Sequence, residues 1–177
     1  MGRQLGGHFA DRIRRYVNRM YVLAIEEALA FGVVVIRDQL VEIARTLLPT
    51  ARTKGGAAFE ELAGLSDESG VGLADVLFAI GYSDVLDILI PANPIPRGPQ
   101  FADHGCTSVL IADSDGNRIL AGQTWDMPVA IADDAIILRR QYKDGKTIIS
   151  LTTVLGLTHC GLNHQRYALT QRFQWSP

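Results

Sequence analysis

Apolar residues in the first half of the chain recur at steps of three and four, the spacing that puts side chains on one face of a helix. One stripe covers residues 9–28 and a second covers residues 33–47, after which Pro49 is expected to end the helix because proline lacks a backbone N–H. Two shorter stripes, at residues 59–65 and 73–80, predict two more helices. The first half of the chain is therefore expected to be all helical.

Proline interrupts this pattern in the middle of the chain. Residues 91–99 hold four of the seven prolines, which excludes regular structure there and predicts an extended, exposed backbone. We therefore expect three segments: a helical region at residues 1–90, a proline-rich linker at residues 91–105, and a strand-rich region at residues 106–177.

The pattern after the linker is that of paired strands. Residues 107–112 and 118–123 flank a polar turn, Asp-Ser-Asp-Gly-Asn, and this arrangement is typical of a β-hairpin. Residues 135–142 and 147–154 repeat the arrangement around Lys-Asp-Gly-Lys. Helices followed by antiparallel strands predict an α+β fold. The first turn resembles the opening of a calcium loop but lacks the bidentate acid that such a loop needs, so no metal is expected.

The balance of charge excludes several classes of partner. The chain of 177 residues carries 17 Lys and Arg against 19 Asp and Glu, so no strong field would hold nucleic acid or an anionic membrane. Five arginines precede Met20, and we interpret them as the solvated face of a helix. With 47% hydrophobic residues but no apolar run of membrane-spanning length, we expect an ordered protein with no membrane partner.

The two cysteines, Cys106 and Cys160, lie far apart and form neither a metal-binding pair nor a disulfide framework, which favours a reducing, cytoplasmic compartment. The N-terminus also lacks the apolar core of a secretory signal peptide. A free thiol is either a buried structural residue or a nucleophile, and a nucleophile needs a nearby base. His104, His159 and His164 are candidate bases in a papain-like arrangement, and this alternative stays open.

Cys106 lies within a motif that extends on both sides of it. Residues 105–108, Gly-Cys-Thr-Ser, and residues 122–126, Gly-Gln-Thr-Trp-Asp, flank the hairpin. Together they resemble the cleavage-site region of the acyl-coenzyme A:6-aminopenicillanic-acid acyltransferase (isopenicillin-N acyltransferase) family of cysteine N-terminal-nucleophile hydrolases. The other matching segments are residues 3–6, 60–65 and 70–77, which resemble the family's propeptide, and residues 161–163, which resemble the start of its Gly-x-Asn-x-x-Gly motif.

The resemblance implies an enzyme that cleaves its own Gly105–Cys106 bond and then uses the new N-terminal Cys106 as nucleophile, with its α-amino group as base. Asp126 would orient that amino group. The implied partner is a small-molecule amide or acyl donor, for instance an acyl-coenzyme A as substrate, and no cofactor is implied. The candidate substrate or oxyanion contacts that the resemblance assigns are Thr107, Gln123, Thr124 and Asn163, with Thr124 standing where the family commonly has asparagine.

The family fold is a four-layer αββα sandwich, and its members are considerably longer than this chain. The resemblance therefore implies a propeptide-like helical half followed by an incomplete N-terminal-nucleophile sandwich. If a second chain or a homo-oligomer supplies the remainder, an active acyltransferase or amide hydrolase is expected. Otherwise we expect a truncated, inactive fragment that folds or associates through an exposed apolar sheet face. Because part of the oxyanion site is expected to be missing, self-cleavage is expected to be slow or absent.

The family pattern ends after Gln165, where Arg166 and Tyr167 stand in place of an expected glycine. We interpret residues 165–177 as encoded out of frame relative to an ancestral enzyme, because CAG-CGG codons read one base later give Ser-Gly and restore the motif. Sequencing the gene beyond Pro177 tests this hypothesis: an open shifted frame that alternates strands with helices supports it, and early stops contradict it.

Overall fold

The structure, a computed structural model, describes residues 1–90, 106–115, 119–165 and 167–169. The chain divides into two compact units, the first formed by Met1–Gly98 with Val154–Leu157 and the second by Pro99–Thr153 with Thr158–Pro177. Four segments lie outside the described residues: the predicted linker, the end of the first hairpin turn after residue 115, Arg166, and the tail from residue 170 onward.

Every α-helix of the described residues belongs to the first unit, and the predicted helical first half is confirmed over residues 1–90. None of these described helices combines the length and the apolarity needed to cross a bilayer. The helices are α1 (Gly2–His8), α2 (Ala10–Ala30), α3 (Arg37–Lys54), α4 (Gly56–Ser69), α5 (Leu73–Ile80) and α6 (Tyr82–Leu89).

The helical unit packs around the apolar stripe of α2. Ile13 and Met20 are fully buried, as the stripe at residues 9–28 predicts. Tyr21 stacks on Phe78 of α5, with 4.2 Å between the ring centroids, and its hydroxyl donates to Asp75 at 3.0 Å. Burying a side chain the size of Ile or Met contributes about 1.5–3 kcal/mol, so this stripe is a main source of the unit's stability.

Helix α3 differs from the predicted helix at both ends. It begins after Ile36 rather than at residue 33, because the Gln39 side chain accepts a hydrogen bond from the N–H of Ile36 at 3.0 Å and caps the helix there. It also continues past Pro49 by more than one turn, so the expected end at Pro49 is wrong. Arg45 and Pro49 are both exposed, and water can therefore hydrate the Arg45 carbonyl that loses its helical hydrogen bond.

Helix α1, which the apolar pattern does not predict, packs against α4 with almost no space between the two backbones. A Cβ placed on Gly2 would lie 1.7 Å from the carbonyl oxygen of Glu61. Arg3 strengthens the same contact by donating to Asp67 and Glu68, each at 2.8 Å. Glycine is therefore needed at position 2 for close approach. Helix propensity disfavours glycine, which is why the sequence pattern misses this helix.

The second unit contains two antiparallel sheets among its described residues. Strands β1 (Ser108–Ala112) and β2 (Ile119–Gln123) form the predicted hairpin. Helices together with antiparallel sheets confirm the α+β class, whereas the four-layer sandwich stays an expectation. A 3₁₀ helix (Val129–Asp134) leads into the second sheet, whose strands in spatial order are β3 (Ala135–Gln141), β4 (Thr147–Thr153), β5 (Cys160–Asn163) and β6 (Ala168–Leu169).

The hairpin exposes apolar side chains on both of its faces. Leu110 and Ile119 lie on one face and are 73% and 64% exposed, and Ile111 and Leu120 lie on the other face and are 57% and 70% exposed. A two-stranded hairpin in water is marginally stable at best, and its apolar residues normally pack against another layer. The hairpin therefore leaves uncovered the kind of surface that strands ordinarily bury.

Candidate active site around Cys106

Cys106 lies just before β1 and is 7% exposed. The residue after it, Thr107, is paired with Thr124 across the hairpin. The N–H of Thr124 donates to the carbonyl oxygen of Thr107 at 2.9 Å, and the N–H of Thr107 donates to Thr124 Oγ1 at 2.9 Å. Gln123, which is half-buried, ends β2 directly before this pair. The backbone next to the thiol is thus held at the open end of the hairpin.

The described pairing of the hairpin ends at the hydrogen bonds between Thr107 and Thr124, and Trp125 and Asp126 follow Thr124 directly in the sequence. Asp126 is exposed, and it makes no hydrogen bond or ion pair with another described residue. Among the described residues its carboxylate caps no turn; capping a turn is the structural alternative to an orienting role.

His159, one of the three candidate bases, lies against Trp125, the residue after Thr124. Its ring contacts that of Trp125, with 4.6 Å between the centroids and 32° between the planes. His164 instead lies in the turn after β5, and His104 lies outside the described residues. The papain-like alternative, with any of the three histidines as base, therefore stays open.

Asn163 ends β5, four residues and so about 13 Å along the extended chain from His159, which directly precedes the strand. Its side-chain Oδ1 accepts hydrogen bonds from the N–H groups of Gln165 and Tyr167, at 3.0 and 2.9 Å. This arrangement is that of a turn-forming asparagine. Thr107, Gln123 and Thr124 thus lie at the same end of the hairpin as Cys106, whereas the described contacts of the Asn163 side chain are those of a turn in the second sheet.

Arg140 is a buried charged residue of β3 that the sequence pattern does not single out. Its Nη1 donates to Ser150 Oγ at 3.0 Å and to Thr158 Oγ1 at 3.3 Å. Because a buried guanidinium is costly unless it is hydrogen-bonded, these bonds tie β3 to the segment that leads into His159. Two successive arginines in a strand do indicate such a residue in the sequence. Side chains alternate between the two faces of a strand, so Arg139 and Arg140 point to opposite faces, and one of them faces the covered side if only one face is exposed.

Among the described residues, no three His, Cys, Asp or Glu side chains gather in a way that could hold a metal ion. Comparison with protein-family models finds no match for this chain, and comparison with curated proteins finds no significant one. The function is therefore inferred from Cys106 and the side chains around it.

Proposed function

We propose that the protein is an autoprocessing cysteine hydrolase of the N-terminal-nucleophile type, an acyltransferase or amide hydrolase that acts on a small-molecule amide or acyl donor. One observation supports this above all others. Cys106 is buried directly before a hairpin whose last described hydrogen bonds join Thr107 to Thr124, and Trp125 and Asp126 follow Thr124 in the motif that resembles the family.

Self-cleavage in this scheme is an acyl shift followed by hydrolysis. The Sγ of Cys106 attacks the carbonyl carbon of Gly105, the C–N bond of that peptide breaks, and the thiol proton passes to the leaving nitrogen. Water then adds to the thioester carbon, which gives the Gly105 carboxylate and returns a proton to the thiol. Glycine at position 105 favours the first step because it hinders the attacking sulfur least.

Turnover uses the amino group that cleavage frees. An unperturbed α-amino group has a pKa of about 7.7–8.0, so at neutral pH it can accept the thiol proton of the same residue. In this scheme the carboxylate of Asp126, two residues after Thr124 in the same motif, holds the resulting ammonium group. The acyl group of the substrate is transferred to Sγ as the first product leaves, and water or an amine then takes it.

Intact-mass measurement of the folded chain tests this proposal. Over prolonged incubation at neutral pH, the wild type is expected to split slowly into residues 1–105 and 106–177, while Cys106→Ala remains whole. Cys160→Ala is the matched control, and it should split like the wild type. A wild-type chain that stays whole, or a Cys106→Ala chain that splits at the same bond, contradicts the proposal.

Asp126→Asn tests the orienting role. Because the carboxylate has no described structural partner, the substitution is expected to slow cleavage while leaving the free energy of unfolding nearly unchanged. Asp115→Asn, at the far end of the hairpin, serves as the control and should change neither. A loss of stability at Asp126→Asn without a change in cleavage rate indicates a structural role instead.

A second candidate function is self-association without catalysis, and the exposed apolar strands favour it. Exposed apolar surface of this kind marks interaction sites in many proteins. Sedimentation velocity over a range of concentrations would then show dimers that Leu110→Lys and Leu120→Lys abolish. A chain that is monomeric at every concentration rules this function out.

A further inference from the structure

The pair formed by Thr107 and Thr124 differs from the rungs of the hairpin that follow it. From Ser108 onward the two strands pair through backbone groups. At Thr107 one of the two hydrogen bonds ends on a side chain, because its N–H donates to Thr124 Oγ1 at 2.9 Å. The carbonyl of Thr107 accepts the N–H of Thr124 at 2.9 Å in the ordinary way. One hydroxyl therefore replaces a backbone acceptor at the rung nearest to Cys106.

The N–H that this hydroxyl holds belongs to the peptide group joining Cys106 to Thr107. That group is planar, so fixing its N–H also fixes the carbonyl and the Cα of Cys106. Cys106 is buried, yet Thr107 and Ser108 directly after it are exposed. The thiol thus lies at a sharp boundary between covered and exposed chain, where a small displacement of one peptide group changes its accessibility.

We propose that Thr124 is a positioning residue: its hydroxyl fixes the Cys106–Thr107 peptide group and so sets the shielding of the Cys106 thiol and its geometry in self-cleavage. The part about cleavage rests on the function proposed above for Cys106, and the part about shielding does not. In this role Thr124 is not a substrate contact. The backbone N–H of Thr107 is likewise engaged, which leaves its side-chain hydroxyl as the group that could donate to an oxyanion.

Alkylation of the folded, uncleaved chain by iodoacetamide at neutral pH tests the shielding, with Cys160 as an internal reference in every sample. Thr124→Val removes the acceptor and keeps the shape of the side chain. It is expected to raise the rate at Cys106 about 5-fold, the factor that corresponds to one hydrogen bond of about 1 kcal/mol. The rate at Cys160 should not change. Thr124→Ser should restore the wild-type rate, and the control Thr147→Val, on β4, should match the wild type.

Hydrogen exchange separates this role from a general loosening of the hairpin. In Thr124→Val the Thr107 amide should exchange faster, while the amides of the Val109 and Ile111 rungs should exchange as in the wild type. Equal acceleration along the whole hairpin overturns the proposal, because Thr124 would then act on overall stability. Unchanged alkylation in Thr124→Val, or a Thr124→Ser variant that behaves like Thr124→Val, also overturns it.

The cleavage rate gives a second readout that distinguishes the two proposals. If the wild type splits before Cys106, Thr124→Val is expected to split about 5-fold more slowly and Thr124→Ser at the wild-type rate. If the wild type never splits but alkylation responds as expected, the shielding role of Thr124 stands and the proposed enzymatic function fails. If the wild type splits and neither readout responds to Thr124→Val, the positioning role fails and the function stands.

Discussion

The helical unit and the hairpin use apolar residues in opposite ways. Leu65 of α4 is 0% exposed, whereas Leu110 of β1 is 73% exposed. In the helices the apolar residues recur with the helical period and give each helix one apolar side. In β1 they are consecutive, so both faces of the strand are apolar, a pattern typical of sheets covered on both sides. The sequence pattern thus determines which surfaces are apolar, and packing determines whether they are covered.

The candidate nucleophile lies at a change from buried to exposed chain within the second unit. Cys106 is buried, and all five residues of β1 that follow shortly after it are exposed. Functional segments are often drawn from the less stable parts of a fold, because chemistry and binding need groups that can be reached. The exposed hairpin that follows Cys106 therefore affects how firmly its buried thiol is held.

Leucine truncation is expected to have very different effects in the helical unit and in the hairpin. Leu65→Ala is expected to lower the free energy of unfolding by about 2–5 kcal/mol, since it leaves a cavity in a packed core. Leu110→Ala, the same change at an exposed position, should alter it by less than about 0.5 kcal/mol. Urea denaturation of both variants measures the difference. Equal losses would mean that the hairpin is covered in solution.

Two glycines of α1, Gly2 and Gly7, are expected to respond in opposite ways to substitution by alanine. Gly2→Ala puts a methyl group against the Glu61 carbonyl and is expected to destabilise the unit by about 1–3 kcal/mol through separation of α1 from α4. Gly7→Ala meets no atom within 4 Å and should stabilise the helix by about 0.5–1 kcal/mol. Thermal unfolding distinguishes the two. A neutral Gly2→Ala would show that α1 is not docked as described.

The helical unit is also expected to lose stability in alkali. Burial raises the pKa of Tyr82 to about 12, and Glu27 and Tyr16 add to the shift. Since an unfolded tyrosine has a pKa of about 10, the stabilisation is complete below that pH and is lost as pH rises through the folded pKa. The free energy of unfolding is measured from about pH 9 to about pH 12, a range that spans both pKa values. It should fall less steeply with rising pH in Tyr82→Phe than in the wild type. An identical slope in that variant contradicts this account.

The apolar pattern predicts the elements whose structure is locally determined. The stripe of α2 and the hairpin are confirmed because their periodicity alone determines which side chains share a face. Helix α1 is missed because Gly2 serves a contact with α4, which is distant in sequence. The predicted end of α3 at Pro49 is wrong, because Pro49 and Arg45 are exposed and water can hydrate the Arg45 carbonyl that proline leaves without a donor.

In the candidate site, too, local structure follows from the sequence pattern, and contacts between segments distant in sequence do not. The hairpin pairing, which puts Thr124 opposite Thr107, the residue after Cys106, follows from the strand pattern. The bond from the Thr107 N–H to Thr124 Oγ1 does not, because it depends on a side-chain rotamer. The burial of Arg140 depends in turn on hydroxyls from two other segments, Ser150 and Thr158, which no local pattern brings together.

Hydroxylamine treatment of the folded chain at neutral pH tests most directly whether Cys106 attacks the bond before it. Hydroxylamine reacts with a thioester and traps the acyl shift even where hydrolysis by water is slow. The sequence contains no Asn-Gly bond, the usual site of unrelated cleavage by this reagent. The wild type should yield residues 1–105 ending in a hydroxamate, together with residues 106–177, while Cys106→Ala stays whole. A wild-type chain that remains intact in hydroxylamine, while folded, contradicts the assignment of Cys106 as a self-cleaving nucleophile.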